Sequence, residues 1–139
     1  MMKYSRATNY ALHTMVYLTL ATKGKTVGVD QLAKIQDLSP TYLSKILTKL
    51  VKAGLIESTP GVNGGYRIIK QAEEISFLDV ITAIEGKTSL FTCSLEHDDR
   101  KNGECLIENV MLEAETKMRE HLSQKYIRDI ANQIEHNAK

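Results

Sequence analysis

Cysteine is scarce in this chain, with two in 139 residues, too few for a disulfide-stapled scaffold. Long apolar runs are missing as well. The densest, Tyr17 to Ala21, falls far short of the roughly 20 residues of a membrane span. The opening Met1-Met2-Lys3-Tyr4-Ser5-Arg6 leads into no signal-peptide pattern with a cleavage site, so a cytoplasmic protein without membrane contact is expected. Catalytic signatures are absent too. The sequence has no Gly-rich phosphate loop ending in Lys-Ser/Thr, no His-Glu-x-x-His and no Gly-x-Ser-x-Gly. His13, His97, His121 and His136 are scattered, with His13 assigned to helix packing, so an enzyme is not expected. There is no internal repeat and no low-complexity segment.

Hydrophobic residues at 42 % and charged residues at 25 % match an ordinary folded domain, or one domain plus an appended arm. The net charge of +1 hides an asymmetry. Residues 1–70 carry ten Lys and Arg against three acids, a balance of +7, and residues 71–139 carry eight against fourteen, a balance of −6. A basic front half suits a polyanion partner.

Periodicity gives the front half its organisation. Arg6 to Leu20 reads as a helix with Ala7, Tyr10, Ala11, Thr14, Met15 and Leu18 at helical spacing. After a break at Thr22–Lys25 and a short extended Thr26-Val27, Val29 to about Gln36 forms a brief second helix. Ser39-Pro40 starts a third, with Ser as N-cap and Pro where no N–H partner exists, and Gly54 closes it in left-handed conformation. That helix buries Leu43, Ile46, Leu47 and Leu50, and its other face carries Thr41, Ser44, Lys45, Thr48, Lys49 and Lys52. Leu55–Ser58 and Tyr66–Ile69 alternate as strands around a turn containing Pro60 and three glycines. Ser76 and Asp79 form a capping box, with Ile75 and Val80 as a staple, for a helix running to Gly86.

Helix, short helix, tight turn, helix and hairpin make a winged helix-turn-helix: mainly α with a β-hairpin wing. Its second motif helix enters the major groove, where the first turn reaches base edges and holds phosphate. Ser39, Thr41, Tyr42, Ser44, Lys45 and Lys49 are therefore the candidate DNA contacts. In the wing, Asn63, Gly64 and Gly65 let the backbone approach a sugar-phosphate rail, and Tyr66 or Arg67 adds a phosphate contact. The bland alternative makes Ser39-Pro40 only a cap and the lysines a solvated face. A winged helix that binds only protein is a second alternative, but it leaves the basic half unexplained.

The run Leu32-Ala33, Ser39-Pro40-Thr41-Tyr42-Leu43-Ser44-Lys45-Ile46-Leu47, Leu50, Ala53-Gly54-Leu55-Ile56, Ser58 and Gly61 to Gly64-Gly65-Tyr66 resembles the Rrf2 family of bacterial winged-helix regulators. Asn9-Tyr10-Ala11-Leu12 and Ile75-Ser76 to Ala83-Ile84-Glu85-Gly86 extend the resemblance over about residues 3–126. It implies a homodimer joined through the long C-terminal helix on double-stranded DNA with a pseudo-palindromic operator. The family range includes iron–sulfur, nitric-oxide and cysteine-metabolism regulators. One departure is Pro60, which stands where the family wing usually has Arg, so no minor-groove arginine contact is expected unless Arg67 substitutes.

The resemblance also places the cysteines. Cys93 and Cys105 match the first and third cluster cysteines of such relatives, but the middle position is Asp99, Glu108 stands at a relative's histidine, and Asn9 at another's aspartate. Two thiolates with carboxylates are a poor set for an iron–sulfur cluster, so no cofactor is expected. Zinc at Cys93, His97 and Cys105 would lack the short Cys-x-x-Cys pair of structural sites. A thiol switch fits better: a redox- or nitrosative-stress-responsive repressor using Cys93 and Cys105, with disulfide, sulfenate and mixed disulfide all open. The plain alternative is that both cysteines merely pack.

Residues 1–86 are thus read as the DNA-binding domain, 87–104 as a polar sensor loop, and 105–139 as dimerisation helix and tail. The long helix carries Ile107, Val110, Met111, Ala114, Met118 and Leu122 as an apolar stripe for a partner copy, with Glu113, Glu115, Lys117 and Glu120 on its outer face. A break near Ser123 precedes a last helical piece, Tyr126 to Ile134.

Overall fold

The Ser39 hydroxyl accepts the Tyr42 N–H at 3.1 Å, and with Pro40 behind it fixes where the third helix begins. In the computed structural model, which describes residues 4–21, 25–69, 72–86, 91, 100–101 and 104–137, the helices are α1 (Arg6–Leu20), α2 (Val29–Gln36), α3 (Pro40–Lys52), α4 (Phe77–Glu85), α5 (Leu106–Ser123) and α6 (Ile127–Asn137). Strands β1 (Ile56–Thr59) and β2 (Gly65–Ile68) pair antiparallel, Ile56 opposite Ile68 and Thr59 opposite Gly65. Both wing strands are shifted by one residue from the sequence expectation, β1 later in the chain and β2 earlier. Arg100–Lys101 and Glu104–Cys105 form a two-residue ladder, β3 and β4, in a stretch expected to lack any period.

α2 and α3 end the same way, and at the end of α2 this makes the turn into α3 tight. Asp37 (φ 54°) and Gly54 (φ 77°) are left-handed, and Leu38 N donates to Ala33 O at 2.9 Å as Leu55 N does to Leu50 O at 3.2 Å. Asp37 tolerates that conformation better than most side chains. α1, α2 and α3 then bury Ala11, Met15, Leu32, Leu43, Leu47 and Leu50 together, so the face of α3 opposite these residues points outward.

The wing is pinned to the body. Val27 and Tyr66 exchange backbone hydrogen bonds at 2.9 Å, and Thr26 Oγ1 donates to Asn63 O at 3.0 Å. These contacts give Gly64 and Gly65 a structural reason to be glycine. A Cβ on Gly64 would lie 2.0 Å from Thr59 O, and one on Gly65 (φ 148°) 2.6 Å from Val27 O.

α6 returns across α1 and buries Ile127 and Ala131, Ile127 within the same core. Phe77 N donates to Lys125 O at 2.7 Å and Ile127 N to Ile75 O at 3.0 Å, so the start of α4 clamps the start of α6. The capping box of Ser76 and Asp79 forms as the sequence predicts, at 3.0 Å in both directions. His13, assigned to packing, is instead exposed. Its Nδ1 meets the Asn9 carbonyl at 2.8 Å and its ring lies 6.4 Å from Tyr17, because the buried arc of α1 falls on Ala11, Met15 and Leu18.

Glu85, at the end of α4, locks down the start of α1. Its Oε1 accepts Ser5 N and Ser5 Oγ at 2.7 Å and Thr8 Oγ1 at 2.6 Å. Burial raises its carboxyl pKa, but the Thr8 and Ser5 hydrogen bonds and the Lys49 charge outweigh burial and hold it below 4.5. A depressed carboxylate contributes stability above the unfolded value near 4.5, and that contribution is lost as pH falls through the folded value. Glu85→Gln should therefore lower the urea midpoint at neutral pH, with the gap to wild type closing as pH falls below about 4.5. A gap unchanged down to about pH 3 would remove the charge from this account.

Candidate nucleic-acid interface

Thirteen residues make α3 about 20 Å long, and an α-helix of this width fits the major groove of B-DNA. Thr41, Tyr42, Lys45, Thr48, Lys49 and Lys52 are exposed along its outer face, and Ser44 is half-buried. Four of the side chains have local partners. Ser39 Oγ caps the helix while keeping its own proton to donate. Thr48 Oγ1 donates to Ser44 O at 2.8 Å, and Lys49 lies within the field of Glu85. Tyr42 stands edge-on to Tyr10, with centroids 6.0 Å apart and planes at 90°.

The neighbourhood of Tyr42 includes residues that sequence reasoning missed. The sequence places Tyr10 only by its helical spacing and its part in the family resemblance, whereas in the structure it is half-buried against Tyr42, and Arg6 Nη2 donates to its hydroxyl at 3.5 Å. The spacing of Arg6 and Tyr10, one helical turn, was the available signal. Together they set a guanidinium and two aromatic rings beside the first turn of α3.

In the wing, Asn63 is exposed, Gly64 and Gly65 are partly covered, and Tyr66 packs its ring against the core. Arg67 is ion-paired with Glu57 directly across the ladder. Both partners are partly solvated, so this pair is weak. Val62, a tip residue given no role of its own, is fully exposed.

The C-terminal helix reverses one expectation. Glu115, expected on the outer face, is only 8 % exposed and lies against α4 in a row with Leu112 and Arg119. The apolar stripe takes the opposite side: Ile107, Val110 and Met111 are 59, 65 and 43 % exposed, and Ala114 is exposed too. The reason is packing order. α4 offers α5 Asp79 and Thr82 beside Leu78 and Ala83, a mixed wall that accommodates a charged pair. Met118 and Leu122 are partly covered, Met118 Sδ accepting the Tyr4 hydroxyl at 3.7 Å.

Cys105 is the N-cap of α5. Its Sγ accepts Glu108 N–H at 3.4 Å and it is 6 % exposed. Cys93, His97 and Asp99 lie outside the described residues, as does most of the expected 87–104 sensor loop. Among the described residues no three His, Cys, Asp or Glu side chains converge as metal ligands. No helix among the described residues is long and apolar enough to cross a membrane.

Comparison with known proteins agrees with this architecture. The family model described as "Rrf2: Iron-dependent Transcriptional regulator" matches residues 4–133. The transcriptional regulator NsrR of Halalkalibacterium halodurans is 34 % identical over 132 residues, covering 93 % of this chain and 90 % of that one. The structure of CymR, the global cysteine regulator of Bacillus subtilis, superposes with a TM-score of 0.79 over 95 % of this chain and 98 % of that one; at 23 % identity it shows a shared fold. The oxidised form of Staphylococcus aureus CymR matches with a TM-score of 0.74 at 27 % identity, over 94 and 96 % of the two chains. These relatives are transcriptional regulators, a class apart from enzymes. The winged helix, the exposed basic face of α3 and the family match lead to one conclusion: this chain belongs to the Rrf2 family of DNA-binding winged-helix transcription regulators.

Proposed function

We propose that this chain is a cytoplasmic repressor that binds a pseudo-palindromic operator as a homodimer joined through α5. The observation that carries the reading is the outward apolar stripe of Ile107, Val110 and Met111. A contiguous row of large side chains facing water marks an association surface, and a two-fold seam presents the same row from both copies. Such a seam sets two copies of α3 at a fixed separation, which is what a symmetric operator reads. Ser39, Thr41, Tyr42, Ser44, Lys45 and Lys49 read and grip the major groove in this proposal. Asn63, Gly64, Gly65, Tyr66 and Arg67 follow the backbone alongside.

The signal in this reading is oxidation of Cys93 and Cys105, acting as thiols without a bound cofactor. Cys105 joins the β3–β4 ladder to α5, so a change of its sulfur disturbs the N-cap from which the dimer helix starts. An effector works only through its differential interaction with two states, and here these differ in the angle between the reading heads. The S. aureus relative has a solved oxidised form, which supports a response to oxidation in this reading. Because Cys105 is buried, Cys93 is the primary thiol and Cys105 the responder.

The experiment is operator binding before and after treatment with diamide or peroxide. Wild type should release the operator, Cys93→Ser should stay bound, and Cys105→Ser should respond partly. Release of a double Cys→Ser protein to the wild-type extent would contradict the thiol switch.

A further inference from the structure

Behind the recognition helix lies a cleft of about 710 Å³ that the DNA reading leaves without a role. Ala53 and Leu55, immediately after α3, form one wall, α4 supplies the floor, and α5 supplies the opposite wall. Its polar side chains are Asp79, Thr82, Glu115, Thr116 and Arg119, and its apolar ones include Leu55, Leu78 and Leu112. Glu115 is more than nine-tenths buried yet lines this cleft, and its Oε1 lies 3.7 Å from Arg119 Nε.

We propose that this cleft binds a free aliphatic L-α-amino acid as an effector. The charge pattern selects the class. Two carboxylates with one guanidinium are net negative and repel phosphates and simple carboxylic acids, while a simple amine would leave the outer donor edge of Arg119 without an acceptor. A wholly apolar molecule would strip water from the partly exposed Arg119 guanidinium without replacing it. A zwitterion satisfies both signs. Its ammonium and carboxylate oxygens are roughly 3 Å apart by bond geometry, close to the Glu115–Arg119 separation of 3.7 Å. Arg119 contacts Glu115 through Nε, so the Nη edge of the guanidinium can take the ligand carboxylate while Glu115 faces its ammonium. Thr82 and Thr116 supply hydroxyls, and the three leucines receive a branched or thioether side chain.

The location couples the site to DNA. A ligand here touches the chain that leaves α3 and the helix assigned to the dimer seam, so occupancy biases the angle between them. That effector role rests on the DNA-binding reading of the preceding subsection, whereas the binding site itself does not. Coupling of this kind is reciprocal: the operator changes ligand affinity by the factor that the ligand changes operator affinity.

Calorimetric titration of the DNA-free protein with L-leucine and with L-methionine tests the site. One of the two should bind saturably, one molecule per chain, with a dissociation constant of about 1 mM or below. Arg119→Gln should weaken binding at least about tenfold. 4-Methylpentanoate and 3-methylbutylamine, leucine lacking one charge each, should bind wild type at least about tenfold more weakly than leucine, a comparison that holds even should the variant fail to fold. Absence of binding by both amino acids at about 10 mM, or equal binding of the uncharged-end analogues, overturns the proposal. Repeating the titration with operator present should change ligand affinity by roughly 5–150-fold, and a factor of one overturns the effector role. Loss of DNA binding with leucine binding intact would count against the DNA reading alone.

Discussion

Tyr42→Ala and Lys45→Ala are each expected to cut operator affinity by roughly 1–3 kcal/mol, the usual loss for one good base contact. Both side chains are exposed on the first turns of α3, where Lys45 makes no side-chain hydrogen bond or ion pair among the described residues. Tyr42 is different. Its ring, 38 % exposed, leans edge-on against Tyr10, and losing that pair also removes about 0.5–1.5 kcal/mol of folding stability. Tyr42→Phe keeps the ring and deletes the hydroxyl, so it separates positioning from hydrogen bonding. For Lys45→Ala the dimer and the urea midpoint should match wild type while the operator titration shifts. Wild-type affinity in both alanine variants would take the start of α3 out of the interface.

A Val110→Asp, Met111→Asp double variant should be monomeric. Both residues are exposed within one chain, so the charges cost the isolated fold little. At a dimer seam the same two carboxylates must be desolvated against apolar neighbours, at several kcal/mol per ion. The consequence for DNA follows from linkage of two half-sites. Once the copies separate, the second head no longer binds at high effective concentration, and operator affinity falls by about 10²–10⁴. Sedimentation equilibrium gives the mass, and circular dichroism verifies that the helices remain. An unchanged dimer mass would put the seam elsewhere on the molecule. Met118 is a less informative target, because its sulfur already receives the Tyr4 hydroxyl.

The elements of the DNA-binding half are legible in the sequence because each announces its own ends. Ser39 with Pro40, Gly54, and Ser76 with Asp79 are local devices whose chemistry acts within a few residues, and the structure uses each of them as the local rules require. The wing is legible as a hairpin, but the reason for Gly64 and Gly65 is not. Their neighbours are Thr59 and Val27, and the approach of Val27 is a tertiary fact.

The C-terminal helix shows where local reading stops. Its apolar stripe is plain in the sequence, but which side of the helix meets α4 depends on what α4 presents. Leu112, Glu115 and Arg119 also recur at helical spacing, and that second row, charged as it is, turns inward. Tyr10 illustrates the same limit on α1, where an aromatic at a stripe position serves as the backing for Tyr42. The pattern around Cys105 puts it at a helix start, but the cap made by its sulfur is visible only in the structure.

The central claim is that two copies of α3, held by the α5 seam, read a symmetric DNA site. Selection of bound duplexes from a randomised pool by the wild-type protein tests it most directly, with sequencing of the enriched fragments. The account predicts one inverted repeat whose half-site centres lie one helical turn of about 10–10.5 base pairs, or a multiple of it, apart. Binding to that repeat should weaken steeply with salt, as phosphate contacts by Lys45, Lys49 and their neighbours require. A pool without an enriched motif, or a single asymmetric motif bound by one chain, would contradict it.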